Sequence, residues 1–219
     1  MLCLQSPITR PKIMRAARIG IYDRKFEHLS TRNVTINNVF LSYKYFQHVE
    51  EELRRDFTFK PHITETARRW LNDHIPDEWK GMEFVRVVIH VRRGDRARPD
   101  YVQGGWSLPT KNYFGRSMSY FTDCLERVQF VVLSDDPAWC RRHIHATNIV
   151  YSSGHSPIVD LAIASLCDHA ITTIGTYSWW VAWFANGVTI TQKNIAPKGS
   201  RLSKRLRISD YFKPDWIEF

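Results

Sequence analysis

Two adjacent arginines, Arg92 and Arg93, follow the apolar segment VVIHV and are followed by Gly94 and Asp95. Each guanidinium group is a planar fork of hydrogen-bond donors that matches phosphate oxygens, and it keeps its charge at any physiological pH. One of these two arginines therefore suits a diphosphate. The pair marks the first candidate binding site in the sequence.

Polar side chains or glycine also follow three later apolar segments of the strand type. A segment such as TIGTYSWW places hydroxyl groups and free backbone N–H groups at the start of a helix, which is a natural anion site. Carboxylates at such positions can accept hydrogen bonds from a nucleobase or from sugar hydroxyls. The residues are Ser134, Asp135 and Asp136 after the second segment, Ser152 to His155 after the third, and Gly175, Thr176 and Ser178 after the fourth. Together with His90 they predict a nucleotide-diphosphate pocket.

Each of these residues also has a purely structural alternative. Asp95 can pair with Arg92, and one of the two aspartates before Pro137 can cap the helix that starts there. Ser178 can serve only as an N-cap, and His90 can be a half-buried histidine with a satisfied ring. Four polar strand ends in one chain nevertheless favour a binding site over four separate structural roles.

The elements that would position these residues alternate between strands and helices from about residue 84 onward. This alternation predicts βαβ units, a parallel sheet and right-handed crossovers. Ligands of an open α/β sheet bind at the carboxyl ends of the strands, where the polar residues stand. In chain order we expect a strand in FVRVVIH, a loop to about residue 110, a helix at 111–126, the strand VQFVVLS, the helix PAWCRRHI, the strand NIVYS, the helix PIVDLAIASLC, the strand HAITTI, the helix SWWVAWFAN and the strand VTITQ. The sequence thus predicts a Rossmann-like α/β domain over residues 83–219.

Residues 1–82 have a polar and mainly helical pattern. In LSYKYFQHVEEELRRDF, apolar residues recur at spacings of three and four, which predicts one helix with a single apolar stripe. That stripe consists of Tyr43, Phe46, Val49, Leu53 and Phe57. HITETARRWLNDHI predicts a second helix, with Thr64 at its N-cap and its end before Pro76. Packing against a core is the expected role of these aromatic residues.

The composition favours anionic partners. With 31 Lys and Arg against 22 Asp and Glu, the 219-residue chain has a formal charge of +9 and an isoelectric point near 9.5. Nucleic acid, a membrane surface and phosphorylated small molecules all match such a charge. Because the basic residues are scattered and no known nucleic-acid-binding motif occurs, we expect no nucleic-acid partner.

Cysteines and targeting signals give weaker information. Cys3, Cys124, Cys140 and Cys167 form no C-x-x-C pair, so neither a zinc site nor a redox motif is predicted, although one or two disulfides are compatible with the sequence. Asn33 begins an Asn-Val-Thr sequon, which can accept a glycan in the secretory pathway. The first 20 residues resemble neither a signal peptide nor a span of ~20 apolar residues, so we expect no membrane anchor in this chain.

Common nucleotide-binding and metal-binding fingerprints are absent from the sequence. Neither a Walker-type G-x-x-x-x-G-K-[ST] loop nor a G-x-G-x-x-G dinucleotide motif occurs, and there is no Asp-x-Asp triplet to hold a metal-bridged sugar nucleotide. Arginines and the positive end of a helix dipole can neutralise a diphosphate by themselves. The residues therefore predict a sugar-nucleotide transferase that uses no metal and no cofactor.

Several motifs resemble, in order and spacing, those of the galactoside alpha-1,2-fucosyltransferases. They are HVRRGD at 90–95, FVVLSDDPAWC at 130–140, DLAIASLCDHAITTIGTYSWWVAWFANG at 160–187 and the closing YFKPDWIEF, and the match extends upstream to FLSYKYFQHVEEELRRDF. The resemblance covers most of residues 36–219. It implies a GDP-fucose-dependent enzyme with a two-Rossmann, GT-B-like architecture. Such enzymes transfer fucose to O2 of a terminal galactose with inversion and without a metal, usually as Golgi membrane proteins.

The resemblance also implies roles for individual residues. The histidine and the paired aspartates would hold guanine or ribose, Thr176 and Ser178 would bind phosphate oxygens, and Arg92 would bind the β-phosphate and stabilise the leaving GDP. Asp95 is the candidate base toward the acceptor hydroxyl, unless it orients Arg92 or Arg93 instead. The predicted donor-binding set is His90, Arg92, Arg93, Asp135, Asp136, Asp160, Thr176 and Ser178, and the predicted catalytic pair is Arg92 and Asp95.

Two features typical of the family are missing from the sequence. These are the cytoplasmic tail with its membrane span and a G-R-x-G-N-Q segment that begins the N-terminal Rossmann half. We therefore expect a donor-binding half at 83–219 and, at 1–82, a mainly helical remnant of the acceptor-side lobe. Two functions are compatible with this reading: an active galactoside 2-alpha-L-fucosyltransferase, or a catalytically silent GDP-binding member of the same family.

Overall fold

A parallel six-stranded sheet lies at the centre of the fold in the computed structural model, which describes residues 12–16, 18–29, 33–37 and 39–219. The strands are β1 (Lys12–Arg15), β2 (Val34–Asn37), β3 (Val85–Val91), β4 (Val128–Ser134), β5 (Ile149–Tyr151), β6 (His169–Thr172), β7 (Thr189–Thr191) and β8 (Ile217–Glu218). The helices are α1 (Glu50–Asp56), α2 (Pro61–Asp73), α3 (Pro99–Gln103), α4 (Lys111–Thr122), α5 (Pro137–His143), α6 (Pro157–Ala164), α7 (Thr176–Ala185) and α8 (Ile208–Tyr211).

The strand order of the main sheet is β5-β4-β3-β6-β7-β8, and every neighbouring pair is parallel. The chain first runs outward from β3 through β4 to β5, then returns to the other side of β3 with β6. The point between β3 and β6 is therefore the topological switch point, where open α/β sheets bind their ligands. The predicted Rossmann-like α/β fold is confirmed. Strands β1 and β2 form a separate parallel pair.

Strand β3 directs alternate side chains to two different cores. Val87, Ile89 and Val91 pack with α4 and α5 on one face, whereas Val88 belongs to the core on the opposite face, which includes α2, α6 and α7. Both faces of a parallel sheet are covered by helices, which explains the nearly continuous apolar run of this strand. The alternation decides where the residues after β3 point, because side chains of an extended chain alternate between faces.

Described residues of the N-terminal segment pack against the α7 side of the sheet. Ala67 and Leu71 of α2 are buried in the same core as α7. The guanidinium group of Arg54 lies 4.1 Å from the ring centre of Trp183 and donates a 2.8 Å hydrogen bond to the Trp183 carbonyl oxygen. This segment is thus continuous with the core of the sheet.

The prediction of one helix through LSYKYFQHVEEELRRDF was wrong. The hydroxyl of Ser42 accepts a hydrogen bond from the Lys44 N–H and starts a short 3-10 turn, and α1 begins only at Glu50. Phe46 and Val49 have φ values of −134° and −127°, which interrupt a continuous helix. The regular spacing of apolar residues therefore reflects packing of the segment against the core and does not indicate an unbroken helix.

The predicted start of α2 was also wrong. Thr64 lies inside this helix, which begins at Pro61. Proline is favoured at the first helical position, since its φ is already helical and its missing N–H would have no partner there. The short helix α3 was not predicted, and it too begins at a proline, Pro99.

The described cysteines form no disulfide bond. Cys124, Cys140 and Cys167 are free thiols, whereas Cys3 lies outside the described residues. No described helix is long and apolar enough to cross a membrane. Asn33 of the sequon is exposed immediately before β2, and its glycosylation stays a prediction.

Candidate functional site

A polar cleft of about 370 Å³ opens at the carboxyl ends of the strands around the switch point. It is lined by His90, Arg92, Arg96, Ser134, Asp135, His155, Pro157, Asp160, Gly175, Thr176, Tyr177 and Ser178. Ser134, His155 and Gly175, which were also predicted from the strand ends, are among them. Of the nine residues in the predicted donor-binding and catalytic sets, six meet there, namely His90, Arg92, Asp135, Asp160, Thr176 and Ser178. The other three residues of these two sets, Arg93, Asp95 and Asp136, do not line the cleft.

The two adjacent arginines point to opposite sides of the sheet. Arg92 shares the face of Val88 and His90 and reaches the cleft, whereas Arg93 shares the face of Val91. The guanidinium group of Arg93 lies 4.1 Å from the ring centre of Trp139 in α5. The alternation of β3 continues for two residues beyond the strand, so only one of the two arginines can enter the cleft.

Arg92 is held between two carboxylates. Its Nη1 donates to Oδ2 of Asp135 and its Nη2 donates to Oδ1 of Asp95, each at 2.6 Å. The other oxygen of Asp135 accepts a 2.8 Å hydrogen bond from the Arg93 backbone N–H. Asp135 therefore fixes both the side chain of Arg92 and the backbone after it. The ion pair is the contact expected if Asp95 orients Arg92, and the role of Asp95 as the base stays a prediction.

Gly94 is required by the same arrangement. A Cβ at this position would lie 2.5 Å from Oδ2 of Asp135, the oxygen that binds Arg92. Only glycine lets the backbone pass so close to that carboxylate. The sequence motif Arg-Arg-Gly-Asp thus encodes a close approach between the loop after β3 and the end of β4.

Asp136 forms structural contacts with the described residues, and its predicted ligand contact stays a prediction. Its Oδ1 accepts a 3.0 Å hydrogen bond from the Trp139 N–H at the start of α5, which makes it the N-cap of that helix. Its other oxygen lies 3.5 Å from Nε of Arg93. Arg93 and Asp136 together attach the loop after β3 to α5, on the side of the sheet away from the cleft.

His90 and Ser178 form a buried pair at the floor of the cleft. Nδ1 of His90 lies 2.6 Å from Oγ of Ser178, and both residues are at least 95% buried. Burial, and secondarily the nearby charge of Arg92, lower the pKa of His90 from its usual 6.5 to about 3. The histidine is therefore neutral at pH 7. This hydrogen bond to His90 fixes the position of the Ser178 hydroxyl at the start of α7.

The N-terminus of α7 faces the cleft. Gly175 has a φ of +131°, a backbone conformation that residues with a side chain rarely adopt. It turns the chain from β6 into the helix, which has no side-chain cap. The first N–H groups of a helix have no partner within the helix and carry a partial positive charge. At Thr176, Tyr177 and Ser178 these groups therefore provide an anion site next to Arg92.

A second hydrogen-bonded group lies on the β5 side of the cleft. The hydroxyl of Ser152 donates to Oδ1 of Asp160 at 2.7 Å and lies 3.0 Å from Nδ1 of His155. Burial raises the pKa of Asp160, although the hydrogen bond from Ser152 opposes this effect. These groups offer hydrogen-bond acceptors and an imidazole ring on the β5 side of the cleft.

The cleft contains a second arginine, Arg96, which was not predicted from the sequence. Its guanidinium carbon lies 3.9 Å from the ring centre of Trp106 and 4.7 Å from that of Tyr101. Its Nε is buried and has no hydrogen-bond partner among the described residues. A buried donor without a partner costs about 1–3 kcal/mol, so the two rings must hold the side chain in place.

An apolar pocket of about 260 Å³ continues from the polar cleft. The two spaces share Arg96, Gly175 and Thr176. Beyond these residues the wall is formed mainly by apolar side chains, including Trp106, Ile174, Leu206 and Tyr211. The combined space therefore has a charged end and an apolar end, with Arg96 at their boundary.

Comparison with known proteins assigns the chain to a family. The family model described as "Glycosyl transferase family 11" matches residues 12–219. The chain therefore belongs to glycosyl transferase family 11, and the resemblance to galactoside alpha-1,2-fucosyltransferases is confirmed.

Three relatives illustrate the similarity. The chain is 29% identical over 200 residues to "Galactoside 2-alpha-L-fucosyltransferase SEC1" of Bos taurus, covering 89% of this chain and 54% of the relative. It is 31% identical over 183 residues to "Galactoside alpha-(1,2)-fucosyltransferase 1" of Oryctolagus cuniculus, covering 80% and 48%, respectively. It is 29% identical over 202 residues to "Galactoside alpha-(1,2)-fucosyltransferase 2" of Sus scrofa, covering 89% and 58%. The chain spans about half the length of these relatives.

Proposed function

We propose that this chain forms the GDP-fucose site of an alpha-1,2-fucosyltransferase. The reaction moves L-fucose from GDP-fucose to O2 of a terminal galactose, with inversion and without a metal. The observation that carries the proposal is the polar cleft at the switch point, which combines a helix N-terminus with arginines in a chain of glycosyl transferase family 11. This combination suits a diphosphate.

The polarity of the cleft supports one direction for the donor. The diphosphate lies at the N-terminus of α7, between Gly175 and Arg92. Guanine and ribose lie toward β5, where Asp160 and His155 offer hydrogen bonds. The fucose then extends past Arg96 into the apolar pocket, whose wall suits the methyl group of a 6-deoxy sugar.

The transfer breaks the bond between the anomeric carbon of fucose and an oxygen of the β-phosphate. The electron pair of this bond leaves with GDP, so negative charge grows on the diphosphate in the transition state. Fixed N–H groups and guanidinium groups directed at this position stabilise that charge, because they need no reorganisation as it develops. The galactose O2 attacks the opposite face of the anomeric carbon and gives its proton to a base.

Asp95 stays the proposed base, although its ion pair with Arg92 supports the orienting role as well. The two roles have different consequences for Asp95→Asn. If Asp95 is the base, Asp95→Asn should keep its affinity for GDP and lose transfer. If Asp95 orients Arg92, the same variant should also bind GDP more weakly. Asp160 of the cleft is assigned to the nucleoside end and is not needed as a base.

Titration calorimetry with GDP, with and without EDTA, tests the donor site. A GDP-fucose transfer assay on a β-galactoside tests the reaction, and Asp95→Asn is measured in both assays. We expect GDP to bind equally well in EDTA and transfer to occur without added metal. Binding without transfer would support the alternative of a catalytically silent GDP-binding member. Absence of GDP binding would contradict the proposed site.

We propose the Golgi lumen as the compartment, by analogy with the family. The exposed Asn33 is then accessible to the glycosylation machinery. Endoglycosidase digestion should lower the mass of the protein made in animal cells, and Asn33→Gln should remove this change. A protein whose mass is unaffected by digestion would contradict glycosylation at this residue.

A further inference from the structure

A further pocket of about 340 Å³ adjoins the apolar pocket that continues from the polar cleft. We call it the outer pocket, and its walls include Asp100, Tyr101, Trp106, Arg201, Leu202 and Arg205. It shares Trp106, Leu202 and Arg205 with the apolar pocket, and it shares no lining residue with the polar cleft. The three spaces therefore form a row, with the apolar pocket in the middle.

Two aromatic rings form one wall of the outer pocket. The ring centres of Tyr101 and Trp106 lie 6.2 Å apart. Gly105, which precedes Trp106, has a φ of +94°, and a Cβ at this position would overlap the side chain of Ser200. Glycine thus lets the aromatic loop lie directly against the segment that carries Arg201. This close packing sets the separation of the two walls.

The opposite wall carries two arginines on a fixed backbone. Leu202 and Leu206 pack into the core, and the N–H groups of Arg205 and Leu206 both donate to the Leu202 carbonyl oxygen, at 2.9 Å and 3.0 Å. Arg201 and Arg205 each precede one of these leucines, and both are exposed. Their backbone is therefore anchored while their guanidinium groups are accessible from the outer pocket.

Positive charge dominates this wall. Residues 193–207 contain six Lys and Arg and no Asp or Glu. Neither Arg201 nor Arg205 forms an ion pair with a described residue, whereas the carboxylate of the pocket, Asp100, pairs with Arg98 at 3.2 Å. Two guanidinium groups are thus available to an anion, and each offers a planar fork of donors that matches a carboxylate or a sulfate.

The row of pockets places the acceptor glycan in this region. With the diphosphate in the polar cleft and the fucose in the apolar pocket, the acceptor galactose lies beyond the fucose, toward the outer pocket. Arg205 lines both the apolar and the outer pocket, whereas Arg201 lines only the outer one. The sugar that follows the galactose is therefore the one that Arg201 can reach.

We propose that the outer pocket binds an acceptor glycan that carries an anionic group, a sulfate or a carboxylate, on the sugar next to the terminal galactose. This proposal rests on the proposed function and names the class of its acceptor. The rings of Tyr101 and Trp106 pack against the sugars, and Arg201 and Arg205 bind the anionic group.

Equilibrium titration of the GDP-saturated protein with three disaccharides, followed by NMR of the ligand, tests the proposal without requiring turnover. The first is N-acetyllactosamine, which is neutral, and the second carries a sulfate on O6 of its N-acetylglucosamine. The third has a carboxylate at C6 of that sugar. The variants are the double substitution Arg201→Gln with Arg205→Gln and, as a matched control, Lys198→Gln with Lys204→Gln. Lys198 and Lys204 are exposed in the same basic segment and line neither the apolar nor the outer pocket.

We expect the wild-type protein to bind an anionic disaccharide about tenfold more tightly than the neutral one, as for a few exposed ion pairs. The arginine double variant should reduce this ratio of Kd values to less than about twofold. The lysine double variant should keep it above about fivefold, because it removes the same charge without removing a pocket contact. A preference for only one of the two anions supports the proposal and identifies the group that is recognised.

Three results would overturn the proposal. A wild-type protein that binds GDP but does not prefer either anionic disaccharide has no anion site in the outer pocket. A preference that survives in the arginine double variant places the anion elsewhere. An equal loss of preference in both double variants shows only a general effect of positive charge. A wild-type protein that binds no GDP would instead contradict the proposed function itself.

Discussion

The loop after β3 fixes two arginines, four residues apart, in opposite ways. Arg92 is fixed by opposite charges, with a carboxylate at 2.6 Å on each side. Arg96 is fixed by aromatic rings, with Trp106 and Tyr101 against its guanidinium group. The first arrangement uses two of the five N–H donors of the guanidinium group to build the loop. The second keeps the cation available for a ligand. The position of an arginine in a cleft therefore does not establish that it binds an anion.

The largest effect is expected for Arg92→Met, because it leaves two carboxylates without their cation. These carboxylates lie at the anion site, so the affinity for GDP and for GMP should both fall, by about 100-fold. Adding Asp135→Asn removes one of the uncompensated charges and should recover part of the loss. Calorimetry on the wild type, the single variants and the double variant measures this.

The double variant distinguishes a bracing role from direct phosphate contact. If Arg92→Met with Asp135→Asn binds GDP no better than Arg92→Met alone, the charge of Asp135 is not responsible for the loss. Arg92 would then contact the phosphate directly, and the contrast with Arg96 would no longer hold. The Asp135→Asn variant alone serves as the matched reference for loss of the aspartate.

A smaller effect is expected for Gly94→Ala, which tests how closely the Arg92 loop is packed. The added Cβ would lie 2.5 Å from Oδ2 of Asp135, so the loop or the carboxylate must move. Overpacking of this kind typically costs about 1–3 kcal/mol in the free energy of unfolding. Urea denaturation measures this free energy, and GDP affinity should fall in the same variant.

Gly115→Ala is the matched control for this substitution. Gly115 lies in α4, and a Cβ there meets no atom within 4 Å. Alanine should therefore stabilise the protein by about 0.5–1 kcal/mol, as expected for an exposed helical glycine. Equal effects of Gly94→Ala and Gly115→Ala on stability would contradict a close approach between the loop and Asp135.

A further effect is expected in the pH dependence of stability, to which His90 beside Arg92 contributes. Burial and the charge of Arg92 lower its pKa to about 3 in the folded chain, against 6.5 when unfolded. Between these values the unfolded chain binds a proton that the folded chain does not. The free energy of unfolding should therefore fall as the pH drops below 6.5, by at most about 1.4 kcal/mol per pH unit. Above pH 6.5 this contribution is fully present.

Urea denaturation at pH 7, 6 and 5 measures that dependence. His90→Gln should remove the contribution, so its stability should fall less steeply with decreasing pH than that of the wild type. His62→Gln, at an exposed position of α2, should keep the wild-type dependence. The same slope in His90→Gln as in the wild type would show that burial does not keep His90 neutral.

The parallel sheet could be predicted because alternating strands and helices have distinct local patterns. The strands FVRVVIH and VQFVVLS were recognisable from their β-branched and aromatic residues, and they form β3 and β4. The N-terminal segment was less predictable. There the spacing of apolar residues indicated a helix, but Ser42 and Pro61 set the actual boundaries through local capping and turn geometry.

Part of the site could also have been read more closely from the sequence. His90 and Arg92 stand at alternate positions after Val88, whereas Arg93 follows Val91 on the other face. The period of two in a strand thus separates the two arginines, and this signal was available without a structure. The capping role of Asp136 was likewise one of the alternatives that the sequence offered.

The sequence by itself determined the fold class, the strand ends at which polar residues gather, and the family. These depend on local patterns and on motifs that lie within short segments. Only the tertiary structure decided which cations are neutralised and which are not. Asp135 reaches Arg92 from 43 residues away, and Trp106 returns to Arg96 after the short helix α3. Neither contact has a periodic signal, because each joins residues that lie outside the strands and depends on how the segments between them pack.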